Sequence, residues 1–137
     1  MLFHQYASPK VFYALAGQLI PWFAVATLIL LGYGLYQGLF VAPPDYQQGE
    51  SVRIMFIHVP AAWMSMFAYM VMASAGAIGL IWNMRLADMA ATAAAPIGAS
   101  FTLLALVTGS LWGKPMWGTW WAWDARLTSE LLLFFLY

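Results

Sequence analysis

Residues 20–42 read IPWFAVATLILLGYGLYQGLFVA, a run without a single charged side chain. The run lies inside 34 uncharged residues between Lys10 and Asp45. About 20 apolar residues in a helix are enough to cross a hydrocarbon core of about 30 Å. The sequence therefore predicts a first transmembrane helix here.

Two more uncharged runs follow, 31 residues between Arg53 and Arg85 and 25 from Met89 to Gly113. Each is again long enough to span a bilayer, whereas the final run, LLLFFLY at residues 131–137, is too short. We predict an all-α integral membrane helical bundle, a single transmembrane domain over residues 1–137. It has three complete transmembrane helices and the start of a fourth, so we expect the chain to be incomplete at its C-terminus.

Composition supports this fold class and excludes several functions. The chain is 64% hydrophobic and 7% charged, against roughly 25% charged residues in soluble domains. A buried bundle in a large soluble protein is disfavoured, because these runs leave no polar face for water. Net charge is zero and the five Lys and Arg are scattered singly, so we expect no nucleic-acid partner. The absence of cysteine excludes disulfides and thiolate metal sites.

An odd number of crossings separates the N-terminus from two loops, predicted at residues 43–58 and 112–127. These loops should therefore share one face of the membrane. Lys10 and Arg85 lie on the N-terminal side, whereas Arg53, Lys114 and Arg126 lie on the side of the loops. The distribution of positive charge does not decide which side faces the cytoplasm.

The second loop lies within the stretch WGKPMWGTWWAWDARLTSE, residues 112–130. This stretch holds five of the eight tryptophans within twelve positions. An aromatic belt at the membrane interface is one interpretation, although it needs only one or two rings at each helix end. If the chain is helical from Trp117 onward, Trp117, Trp120, Trp121 and Asp124 fall within about 100° of arc. The spacing then favours a flat indole surface for a large planar ligand, edged by a carboxylate.

Asp124 has two possible roles at the end of this loop. It can cap the fourth helix, or its charge can act in docking a partner or in bridging to a ligand through Arg126. The sequence favours the second role slightly, because the carboxylate directly follows Trp123.

His58 lies in FIHVPAAWMS, residues 56–65, on the same face as the tryptophans. A lone histidine there is most often an ordinary interfacial residue. Beside an indole surface it suggests haem, whose iron binds neutral imidazole and whose two carboxylates need cations. Arg53, Lys114 and Arg126 are the candidate partners for those carboxylates. His4 is expected on the opposite side of the membrane.

The tryptophan stretch, with DYQQGESVRIMFIHVPAAWMS and APIGASFTLLALVTGS, resembles the WWD-domain family of haem-handling proteins, in its small haem exporter protein C (CcmC) branch. The resemblance implies six spans, a bacterial inner-membrane location and a site on the periplasmic side. It implies haem b as the ligand and delivery of haem to the chaperone CcmE for cytochrome c biogenesis. The other expected partners are CcmD, the CcmAB transporter and the lipid bilayer.

The resemblance carries over to particular residues. His58 matches the first axial ligand of the haem iron, and the second falls beyond Tyr137, between spans five and six. We add Arg126 as a candidate haem contact. The signature positions are Trp112, Gly113, Trp117, Gly118, Trp120, Trp121, Trp123 and Asp124.

Two other functions stay open at this point. The chain can be a structural membrane subunit whose tryptophans form only an interfacial belt. It can also be a haem lyase that assists covalent attachment to the chaperone. We do not expect an enzyme, because no pair of nucleophile and base is apparent in the sequence.

Overall fold

The computed structural model describes residues 8–137. Its helices are α1, Pro9–Tyr36; α2, Val52–Trp82; α3, Arg85–Trp117; and α4, Ala125–Leu136. A π-helix, Gln37–Val41, continues α1 without a break. The segments Pro9–Val41, Val52–Trp82 and Arg85–Trp117 are long and apolar enough to cross a membrane. The predicted all-α membrane fold, with three full spans and a short fourth helix, is confirmed.

The helices begin and end at residues suited to these places. The Ser8 hydroxyl accepts a hydrogen bond from the Val11 amide at 3.3 Å, which caps α1. Asn83 adopts a left-handed conformation at φ 50° after α2, and α3 begins two residues later. Gly118 ends α3 at φ 78°, a conformation that glycine adopts without steric cost.

The two loops are shorter than predicted, because the helices extend past the apolar runs. α2 already begins at Val52, so His58 lies within a helix, and α3 continues to Trp117, so Trp112 and Gly113 are helical. Helices of 31 and 33 residues are about 45–50 Å long, more than a hydrocarbon core of about 30 Å. Their ends therefore lie among headgroups and water, where charged side chains do not terminate a helix.

Small side chains bring α2 and α3 into close contact along their whole length. Without a strong hydrophobic force between helices in lipid, close backbone approach supplies the van der Waals contact that holds them together. The buried residues are Ala61, Ser65, Ala68, Ala75 and Gly79 on α2, and Ala87, Ala94, Gly98, Thr102, Ala105, Leu106, Thr108, Gly109 and Gly113 on α3.

α1 contrasts with this pair, since none of its residues is buried. The π-helix that follows it carries the contact with α2. A Cβ on Gly38 would lie 3.0 Å from Phe56, and Arg53 donates a hydrogen bond to the Leu39 carbonyl at 2.8 Å. The bare carbonyls at the end of the first span are thereby satisfied by α2.

The connecting segments 42–51 and 118–124 lie at the same end of the bundle, as predicted. The Trp112 indole N–H donates a hydrogen bond to the Gln48 side-chain oxygen at 2.9 Å, although 64 residues separate them in sequence. We call this the tryptophan end. His4, expected at the other end, lies outside the described residues.

Candidate functional site

His58 is held against α3 by one of its two ring nitrogens. Its Nδ1 lies 3.0 Å from the Ala105 carbonyl oxygen and 3.1 Å from the Thr108 hydroxyl oxygen. A carbonyl only accepts, and the Thr108 hydroxyl donates elsewhere, to the Leu104 carbonyl at 2.6 Å. The hydrogen-bond network therefore assigns the proton to Nδ1, which leaves the lone pair on Nε2.

The close approach of α3 to this imidazole depends on Gly109. A Cβ added at Gly109 would lie 3.0 Å from His58 Cε1, closer than side chains normally pack. Gly109 therefore provides the room in which the ring reaches the Ala105 carbonyl.

A cavity of about 330 Å³ opens beside His58. His58 and Met66 line it from α2, and Arg126 and Glu130 line it from α4. Glu130 accepts a hydrogen bond from Ser65 at 2.7 Å, and Ser65 is fully buried. The short fourth helix thus brings both a cation and a carboxylate to the cavity that His58 lines.

Arg126 links this cavity to the tryptophans. Its guanidinium carbon lies 5.4 Å from the centre of the Trp117 ring, within the range of a cation–π interaction. The same side chain pairs with the Asp124 carboxylate at 2.8 Å. The structure therefore brings His58, Trp117, Asp124 and Arg126 into one connected group.

Asp124 serves as both cap and ion-pair partner. One carboxylate oxygen accepts the Leu127 amide at 2.9 Å, which caps α4, while the other accepts from Arg126. The Leu127 amide and then the Arg126 side chain hold the pKa of the Asp124 carboxyl below its usual value. The capping role is thus present in the geometry, and the pair with Arg126 is the contact through which a charge-dependent role in docking or ligand bridging would act.

The tryptophan segment, residues 112–123, is not the continuous helical surface considered above. α3 ends at Trp117, because Gly118 takes a left-handed conformation, so Trp120, Trp121 and Asp124 do not continue its face. Thr119 braces the turn that follows, accepting from the Trp121 amide and donating to the Trp121 carbonyl.

The rings pair edge to face rather than forming one flat sheet. Trp112 and Trp117 are 5.0 Å apart with planes at 86°, and Trp121 and Trp123 are 5.4 Å apart at 75°. Such edge-to-face pairs are a favoured aromatic geometry. Trp117, Trp120 and Trp123 are 42%, 56% and 78% exposed, so their faces remain accessible.

Gly113 and the Trp121 indole are two crowded points in this segment. A Cβ on Gly113 would lie 3.2 Å from the Trp117 ring, so a larger residue there would require the ring to shift by a few tenths of an ångström. The Trp121 Nε1 atom is buried and has no hydrogen-bond partner within residues 8–137.

The three candidate cations are used differently. Arg126 lines the His58 cavity, as described above. Lys114 donates to the Gly118 carbonyl at 3.0 Å and lies 5.8 Å from the Trp120 ring centre. Arg53 is bound to the end of the first span and to Glu50, and it does not line the cavity.

Sequence reasoning missed the residues that hold the site together. Thr108 and Gly109 act only through helix packing, which periodicity does not reveal, and Gln48 acts across 64 residues. Glu130 could have been found, because an isolated carboxylate beside an apolar run at membrane depth is a functional signal.

Comparison with known proteins gives a consistent result. A family model described as "Heme exporter protein C" matches residues 2–137. Heme exporter protein C of Bradyrhizobium diazoefficiens is 63% identical over 131 residues, covering 96% of this chain and 49% of the relative.

The proteins of the same name from Escherichia coli (strain K12) and Paracoccus denitrificans are 59% and 47% identical. These matches cover 98% and 97% of the chain and 55% of each relative. The chain therefore spans about half the length of the curated relatives it matches.

Proposed function

The chain belongs to the heme exporter protein C (CcmC) family, and from this premise we propose that it binds haem at the tryptophan end, with His58 as an axial ligand of the iron. The bound haem is then delivered to the chaperone CcmE for cytochrome c biogenesis. The chain acts as a carrier and not as an enzyme.

The observation that carries this proposal is the hydrogen bonding of His58. Histidines that bind metals usually donate their second N–H to a carbonyl or carboxylate, which fixes the tautomer and the ring orientation. His58 Nδ1 already donates to the Ala105 carbonyl at 3.0 Å. Nε2, the nitrogen left with the lone pair, has no hydrogen-bond partner in the described part of the chain.

The surroundings of His58 suit haem b. Trp117, Trp120 and Trp123 present partly exposed apolar faces to a large planar ligand. Arg126 lines the same cavity as the proposed iron ligand, and its guanidinium is suited to a propionate.

The location and partners of the chain form part of the same proposal. The tryptophan end faces the periplasm from the bacterial inner membrane. The chain works beside CcmD and the CcmAB transporter, and its haem passes to CcmE at that face. The family membership and the names of the relatives support this assignment.

Two alternatives make different predictions. A structural subunit with a tryptophan belt would bind no haem, whereas a haem lyase would form the covalent haem–chaperone product itself. The tautomer and close packing of His58 favour a ligand role over the belt. Trapping a covalent product with purified chaperone alone would favour the lyase.

The experiment that tests the proposal is His58→Ala in the detergent-purified protein. We expect haem to be lost or its Soret band to shift, because the iron loses an axial nitrogen while the spans keep their apolar faces. His4→Ala is the matched control, since the chain has only two histidines. Full occupancy with an unchanged Soret band in His58→Ala would show that His58 is not the ligand.

A further inference from the structure

The first loop, residues 42–51, is built as a rigid turn. One Asp45 carboxylate oxygen accepts the amides of Gln47 and Gln48 at 2.9 and 2.8 Å. The backbones of Asp45 and Gly49 exchange two hydrogen bonds, at 2.9 and 3.2 Å, and Gly49 adopts φ 57°. The turn therefore fixes the backbone from which the Gln48 side chain extends.

That side chain contacts the tryptophan segment. Gln48 Oε1 accepts the Trp112 indole N–H at 2.9 Å in a partly buried position. Among the described residues, this is the one hydrogen bond between the first loop and the tryptophan segment. An indole at the membrane interface usually directs its N–H to water. The hydrogen bond to Gln48 instead restricts the orientation of the Trp112 ring.

The position of the Trp112 ring bears on the side chains of the proposed ligand site. Its ring meets Trp117 edge to face at 5.0 Å, and Trp117 lies under the Arg126 guanidinium at 5.4 Å. Arg126 in turn lines the cavity that contains His58. The steps from Gln48 to Arg126 are direct contacts between side chains, and the last step is the cavity that Arg126 and His58 both line.

We propose that Gln48 is a positioning residue for haem capture, which fixes Trp112 and thereby the Trp117–Arg126 pair beside His58. The inference rests on the proposed function, since haem is the ligand concerned. Gln48 touches neither the iron ligand nor the cavity and acts only through Trp112.

The central variant is Gln48→Met, which removes the acceptor but keeps a side chain of similar length. Gln47→Met is the matched control, because the Gln47 side chain makes no hydrogen bond within the described residues. Gln48→Glu restores an acceptor oxygen at the same reach and tests for rescue.

The first measurement uses haem-free protein. Nitrogen-15 NMR of the indole N–H groups reports Trp112 and Trp117, assigned through Trp112→Phe and Trp117→Phe. We expect Gln48→Met to move both resonances, Gln47→Met to move neither, and Gln48→Glu to keep the Trp117 resonance near its parental position.

The second measurement is haem affinity, followed through the Soret band. Loss of one hydrogen bond predicts capture weaker by about 3- to 10-fold in Gln48→Met, with near-parental capture in Gln48→Glu. In a Trp112→Phe background, Gln48→Met should have no additional effect, because its partner is already absent.

The two measurements separate the outcomes. An unmoved Trp117 resonance in Gln48→Met overturns the positioning role, as does parental haem affinity in that variant. If parental haem binding proves independent of His58, the proposed function fails. The Trp117 resonance still decides whether Gln48 positions that ring.

Discussion

At the scale of single residues, Asp124 makes two contacts that bear on the two roles the sequence leaves open. It caps α4 through the Leu127 amide and pairs with Arg126 through its other oxygen. A propionate that binds Arg126 would compete with this carboxylate. Asp124 is therefore placed to influence how tightly Arg126 holds an anionic ligand.

Substitution of Asp124 separates the cap from the charge. Asparagine caps a helix about as well as aspartate, whereas alanine does not. We expect haem transfer to purified CcmE to fall by about two- to five-fold in Asp124→Asn, because Arg126 loses its anion. This fold-change corresponds to the free energy typical of an exposed ion pair. If Asn preserves parental transfer while Ala does not, the charge is unnecessary and Asp124 is only a cap.

The acid response of Asp124 follows from its lowered pKa. Its carboxylate contribution is complete above the ordinary value of 3.8 and is lost as the pH falls through the lower value of the folded protein. Near neutral pH the Asp124–Arg126 pair is therefore fully charged, and transfer assays there measure the intact pair.

At the scale of secondary-structure elements, the tryptophan segment is a helix end followed by a turn. Gly118 stops α3, Thr119 braces the turn, and Asp124 starts α4. The segment is therefore short and connects directly to α3 and α4, which keeps its exposed rings at the tryptophan end of the bundle.

Removing these rings should affect haem and not insertion. Replacing Trp117, Trp120 and Trp121 together by Ala deletes roughly 150–250 Å² of contact area for each ring. We expect haem capture and delivery to fall strongly, measured by Soret absorbance and transfer to CcmE, while membrane insertion is kept.

The control variant replaces three exposed tryptophans on α1 and α2 by Ala, namely Trp22, Trp63 and Trp82. It removes the same number of indoles from outside the tryptophan segment. Parental capture and transfer by the Trp117, Trp120 and Trp121 variant would contradict a ligand role for these rings.

The sequence predicts the elements better than their boundaries. Uncharged runs give the three spans, because length and apolarity alone decide membrane crossing. They do not give the helix ends. α2 starts at Val52, before the uncharged run begins, and it therefore includes His58; the spacing of charges does not reveal this boundary. Nor do the runs give the edge-to-face ring pairs, since Trp117 packs against Gly113 and α3 ends at Gly118 through tertiary and backbone geometry.

The candidate site is predictable only in part for the same reason. His58 and the tryptophans are conspicuous residue types, and the resemblance marks them individually. The contacts of His58 with Ala105 and Thr108 arise from the tertiary approach of α2 and α3, which a single sequence does not encode in any local pattern.

At the scale of the whole molecule, both connecting segments of the tryptophan end lie opposite the tight turn at Asn83. This arrangement follows from three crossings and from the contact between Gln48 and Trp112. These contacts do not fix which end of the bundle faces the cytoplasm. The proposed function places the tryptophan end on the periplasmic side.

Cysteine labelling tests this topology directly, because the chain contains no cysteine. Tyr46→Cys and Thr119→Cys lie at exposed positions of the tryptophan end, and Asn83→Cys lies at the opposite turn. We expect a membrane-impermeant maleimide added to intact spheroplasts to label the first two and not the third. Labelling of Asn83→Cys alone would reverse the proposed orientation.

The solitary position of α1 has a consequence for biosynthesis. α1 buries no residue, whereas the inward face of α2 is completed by α3. Within the described residues, α1 therefore needs no later helix to cover a buried face as the ribosome delivers the chain. The His58 contacts with Ala105 and Thr108 can form only when α3 has emerged, and the Ser65–Glu130 hydrogen bond only when α4 has emerged. The proposed iron ligand therefore reaches its hydrogen-bonded position only after the α2–α3 hairpin has closed.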